Sequence, residues 1–345
     1  MRCLAPFYTT LDMEPSLTSF KAQFQHLVLG FLWRQWSALG VAGQSRTGDP
    51  WVVDPEALLL FSTVLARHEP RLFDEILDWL HLNGSWINLQ RLSHLQKHYE
   101  PGDSAVLAAI ATHLAHDTAH SKWKVLTQVE TTTNRPPTPL FSQLPFFGAE
   151  DPDFLRWGLL RAPLKLRGLS QSPEPNQPAT FLFKMRALFG RLARADIMAW
   201  LLTHDSGHPA QIARDVGAMP RSVQNILNDL SISGHVRAVR AAREKHFAVR
   251  HDEWRFLLTW QGAAEFPQWI HWASLFRVLR RFHELLQRPD LETMSPFSQA
   301  IEIKRAIDVA SLVKAGLPAH LTHTPSTTGP EFLEATLKDL ETLLG

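Results

Sequence analysis

The stretch that decides the fold runs from residue 192 to residue 250: LARADIMAWLLTHDSGHPAQIARDVGAMPRSVQNILNDLSISGHVRAVRAAREKHFAVR. Residues 192–204 carry Ile197, Met198, Leu201 and Leu202 on one side and predict a short amphipathic helix, which Asp205-Ser206-Gly207 breaks. Residues 208–216 predict a second helix, with Pro209 near its first position and apolar side chains at Ile212, Ala213 and Val216. After the turn Gly217-Ala218-Met219, residues 220–231 predict a third, stopped by Gly234. The period then changes from helical to alternating. Residues 235–239 and 245–249 read as two short strands, with Phe247 and Val249 turned inward.

The third helix has two unlike sides. Val223, Ile226, Leu227 and Leu230 form one apolar stripe, and the opposite side holds Arg221, Asn225 and Asn228, flanked by Gln224 and Asp229, with Ser222 in the same first turn as Arg221. A merely solvated face would more typically show Glu and Lys. Arg pairs bidentately with guanine, and Asn or Gln with adenine, so this composition suits the reading of base edges. The hairpin that follows is basic, with Arg237, Arg240, Arg243 and Lys245. Residues 181–250 hold eleven Lys/Arg against five Asp/Glu, a local net charge of +6 in a chain whose total is +1, which leaves −5 for the remainder. Such concentration is the electrostatic footprint expected of a nucleic-acid surface.

The runs Ala195-Asp196-Ile197, Leu201-Leu202-Thr203-His204, Gly207-His208-Pro209-Ala210-Gln211-Ile212-Ala213 and Ser222-Val223-Gln224, with Leu230 and Gly234, resemble the winged helix-turn-helix domains of ArsR- and MarR-like bacterial transcriptional regulators. The resemblance covers about 60 residues. It implies a three-helix core, recognition of double-stranded DNA by residues 220–231 and backbone contacts from the wing at 237–245. It also implies homodimers on pseudo-palindromic operators. Two departures stand out. Met219 occupies the place where such turns offer a Ser or Thr cap, and the single cysteine, Cys3, leaves no thiolate metal-sensing motif.

Around this module the chain reads as mainly α. Residues 1–130 form a helical N-terminal domain, 131–180 a linker or arm, 181–255 the winged module and 256–345 a helical C-terminal region. Asp54-Pro55 and Pro70 open helices, and residues 87–98 and 105–129 are expected to be helical as well. A second helix, turn, helix pattern over 72–98 places Arg91, His94, Gln96 and Lys97 on a polar side, where two packed helices are the ordinary reading. Nine of the chain's 23 prolines fall between Pro136 and Pro178, which suits an extended segment. Within it Arg156, Arg161, Lys165 and Arg167 offer a phosphate-tracking arm as the functional alternative to a solvated linker. Trp33, Trp36, Trp79, Trp200 and Trp272 sit in helical patterns and are expected in the core. One cysteine, no signal-peptide pattern and no apolar run of membrane length lead to the expectation of a cytoplasmic protein without membrane partners.

Catalytic motifs are missing: there is no GxxxxGK[ST], GxSxG or GxGxxG. No cofactor and no enzymatic activity are expected. His113, His116 and His120, with Asp117 between them, would fall on one helix at a spacing that can share a metal, but without HExxH or a visible distant carboxylate partner a polar helix face is the simpler reading. His320 and His323 are weaker still, flanked by Pro318 and Pro325. The function expected is sequence-specific DNA binding in transcriptional regulation. The alternative is an antitoxin-like protein that binds a protein partner through its helical flanks and represses its own operon.

Overall fold

In a computed structural model of the chain, residues 16–43, 49–128, 136–141, 146–241, 244–260, 262–306 and 330–344 are described. Local caps set most helix starts. The Ser16 hydroxyl accepts from the Ser19 amide at the head of α1 (Leu17–Ala38), and Asp54, followed by Pro55, caps α2 (Pro55–Leu65). α3 (Pro70–Asn83) begins on Pro70, while Asn88 and Asp103 cap α4 (Leu89–Tyr99) and α5 (Ser104–Leu114). The expected helix over 105–129 stops early. Residues Thr118–Thr127 turn as a 3-10 helix, because the Asp117 carboxylate accepts from the Ala119 amide and starts a new element.

The apolar faces of these helices share one core with α11 (Trp272–Leu286), so the N- and C-terminal regions are packed together. Phe20 and Phe24 meet Phe282 edge-on at 5.8 and 4.9 Å, and Phe61 stacks on Phe276 at 4.4 Å. The five tryptophans expected in the core are buried, and three donate indole N–H groups there: Trp36 to Ser62, Trp79 to the Leu39 carbonyl and Trp272 to the Val52 carbonyl. The C-terminal helix Pro330–Leu344 lies against α1. Among the described residues no helix is long and apolar enough to cross a membrane.

The proline-rich segment is no arm. Phe154 of the short helix α6 (Pro152–Leu155), with Leu140, Trp157 and Leu159, is buried in the same core, and a parallel strand pair, β1 (Thr138–Pro139) with β2 (Leu159–Leu160), closes the loop. Acidic residues of α3 hold it down. Asp78 accepts the backbone N–H groups of residues 167–170 at 2.7–3.2 Å. Burial alone would raise the Asp78 carboxyl, but these amides hold it below its ordinary range. Two of the basic residues that the phosphate-tracking alternative relied on are spent on the same helix, Arg161 on Asp74 and Arg167 on Glu75.

A second core gathers α7 (Phe181–Phe189), α8 (Ala193–Leu202), α9 (Pro209–Asp215), α10 (Pro220–Ile232) and an antiparallel hairpin, β3 (Val236–Ala241) with β4 (Glu244–Val249). The hairpin is longer than the sequence suggested, so Arg240 pairs with Lys245 within it, not in a loop. Gly207 adds a two-way backbone bridge to Phe247, at 3.0 and 2.9 Å. Only glycine fits there, since a Cβ would stand 2.3 Å from Trp200 Cη2.

The two cores meet across five buried ionic side chains. Arg91 of α4 binds Asp54 at 2.6 and 2.5 Å and Glu56 at 2.7 Å, and its Nε donates to the Val216 carbonyl at the end of α9. Arg186 of α7 chelates Glu56 at 2.7 and 2.8 Å and donates to Asp196 of α8 at 3.1 Å. Burial pushes Asp54 up, but Arg91 more than offsets this and leaves it below its ordinary value. Asp196, its Oδ2 without a hydrogen-bond partner, is raised by the same burial. Arg91, expected on a polar outer side of α4, is thus an interior residue.

Candidate nucleic-acid interface

The positioning of α10 follows from local geometry. His208 Nδ1 accepts from the Ala210 amide and Pro209 starts α9. The chain then reverses through Gly217 at φ +64°, where a Cβ would lie 2.7 Å from Leu95 Cδ2. Met219 gives α10 no side-chain cap, as its residue type implies. Val223, Leu227 and Leu230 are buried and Ile226 half-buried, which fixes the rotation of the helix.

That rotation leaves Arg221, Ser222, Asn225 and Asn228 exposed and Gln224 half-exposed. Among the described residues, the side chains of Arg221, Ser222 and Asn225 have no hydrogen bond or ion pair. Asn228 accepts through one Oδ1 from both Gln224 Nε2 and Lys245 Nζ, each at 3.2 Å, which ties the helix to the hairpin. Lys245 also lies 4.8 Å from the centre of the Phe247 ring. The one acid of the face, Asp229, is 3.6 Å from Arg194 of α8. Arg237 on β3 is exposed, with Glu253 at 3.9 Å. The side chain of Arg240 and all of Arg243 lie outside the described residues, as do His320 and His323.

A groove of about 770 Å³, missed in the sequence because three separate segments build it, adjoins the start of α10. α4 contributes His94, His98 and Tyr99, α9 contributes Arg214, and α11 contributes Arg277, while Ala218 and Pro220 form its edge. Arg277 lies over the Tyr99 ring with its Nε buried and unpartnered. Asp215, the one acid lining it, receives the Trp200 indole N–H at 3.2 Å. His94 is held below its usual pKa by burial and by His98, whose ring lies 4.2 Å away.

The histidines read as one helix face part company. α5 ends at Leu114; His113 and His116 both turn to Asp153, whereas His120 is buried with its Nε2 2.8 Å from the His81 carbonyl oxygen. Against family models, curated proteins and solved structures, this chain gives no match.

Proposed function

We propose that residues 181–255 act as a winged helix-turn-helix that binds double-stranded DNA, and that the chain is a transcriptional regulator, a repressor in its simplest form. α8, α9 and α10 are the three helices of this reading, α10 is the recognition helix and β3–β4 the wing. The observation that carries it is the outward face of α10: the Arg221 guanidinium and the Asn225 carboxamide are uncovered and unpaired among the described residues, with the Gln224 and Asn228 carboxamides beside them linked to Lys245 of a hairpin rich in Arg and Lys. In the major groove Arg221, Gln224, Asn225 and Asn228 read base edges. Ser222, Arg237, Arg240, Arg243 and Lys245 hold the backbone.

Selection of binding sites from a random duplex library tests it. Enrichment of one motif, bound by fluorescence anisotropy more than a hundredfold tighter than scrambled DNA, is the expected outcome. Retention of no motif by the full chain overturns the reading.

A partner-protein role, in the manner of an antitoxin, draws on another observation. Leu188, Leu192, Ile232 and Phe256 are large apolar side chains left exposed on or beside this module. Such surface suits a second copy of the chain or another protein. Co-purification with the product of a neighbouring gene distinguishes the two.

A further inference from the structure

The sequence offered the His113 and His116 imidazoles no distant carboxylate, and the fold supplies two. α5 delivers His113 in its last turn and His116 just beyond it, and the packed proline-rich segment brings Asp151 and Asp153 to the same place from some 40 residues away. His113 Nδ1 lies 3.0 Å from Asp153 Oδ2, and His116 Nε2 lies 2.8 Å from Asp153 Oδ1. One donor atom each from His113, Asp151 and Asp153 falls within 4.8 Å of the other two. Donors around a tetrahedral ion with bonds near 2.0–2.1 Å are about 3.3 Å apart, so these three must draw together by up to about 1.5 Å to enclose one, and His116 joins them by turning in from Asp153 Oδ1.

Charge makes the same case. Asp151 is 4% exposed and forms no ion pair among the described residues, and Asp153 pairs only with the two imidazoles. Arg161, whose carbonyl accepts the Asp151 amide, turns its guanidinium to Asp74 and over the Phe154 ring. Two carboxylates therefore converge with imidazoles where no Lys or Arg among the described residues neutralises them.

The geometry points to a divalent metal site held by His113, His116, Asp153 and Asp151, with zinc the best match. Mixed imidazole and carboxylate ligands suit zinc, while calcium and magnesium take oxygen alone. His116, 71% exposed, is the solvent-side ligand. Bound there, the ion fastens α6 to the end of α5, and both imidazoles must be unprotonated to ligate it. This inference is independent of DNA binding.

The test uses the untagged full-length chain after chelator treatment. Zn²⁺ is titrated against a chromophoric chelator, Co²⁺ is followed by its visible absorption, and the melting temperature is read with and without metal. One equivalent bound at micromolar concentration or tighter, a tetrahedral or five-coordinate Co²⁺ spectrum and a raised melting temperature are expected. Asp153→Asn and His116→Ala should each weaken binding about 10-fold or more, while their metal-free melting temperatures stay near that of the metal-free parent. A His94→Ala/His98→Ala chain, which lacks another close imidazole pair, should bind as the parent does. Absence of saturable binding overturns the site. So does affinity that survives Asp153→Asn, or that is lost only with His94 and His98.

Discussion

Arg221 is the side chain on which the DNA reading depends most. It is exposed and unpaired in the first turn of α10, so its guanidinium is available without breaking an internal contact. Arg221→Ala should weaken binding to the selected motif by about 1–3 kcal/mol and relax preference at one base, as measured by anisotropy on single-base variants. Stability should hardly change, and a fall in melting temperature of the size of a core lesion would place Arg221 in the wrong role. Gly207 is the opposite kind of residue. A methyl group there meets the Trp200 indole, so Gly207→Ala should destabilise the fold by about 1–3 kcal/mol, seen as a lower denaturation midpoint.

The hairpin acts as an element. Replacing Arg237 or Lys245 with Ala should weaken all DNA sequences alike and lower the slope of log K against log salt by about one unit per lost contact. Lys245→Ala has an added signature, because it also releases Asn228. At this scale the sequence was most informative. The helices and strands of residues 192–250 are set by local period and by breakers such as Gly207, Gly217 and Gly234, and the structure follows them closely. The helical period at His113, His116 and His120 misled, since a single carboxylate at Asp117 restarts the backbone. Neither the docking of the proline-rich segment on Asp78 nor the groove near α10 was legible. Both join residues far apart in the chain, and nothing in a local window encodes such pairings.

Across the whole molecule, stability should depend on acidity through His283. Burial, with His68 and Arg280 nearby, holds this imidazole down to about 4, against an ordinary value of 6.5. The unfolded chain therefore binds the proton first. The contribution is complete above about pH 6.5 and is lost as pH falls through about 4, by about 3 kcal/mol at most. Chemical denaturation across that range should show the slope, and His283→Gln should flatten it. The ionic cluster between the cores gives a sharper test. Glu56 is fully buried and serves both Arg91 and Arg186, so Glu56→Gln should cost about 3–5 kcal/mol by leaving cations unmatched.

That cluster also decides what can be cut from the chain. A fragment beginning at residue 181 would keep Arg186 and Asp196 but lose Glu56, Asp54 and Arg91, and with Arg91 the donor that holds the Val216 carbonyl at the end of α9. The segment resembling a free-standing reading head is thus rooted in the N-terminal helices. Whatever loosens those roots, whether a truncation, a partner or a substitution remote from α10, reaches its exposed face through five ionic contacts.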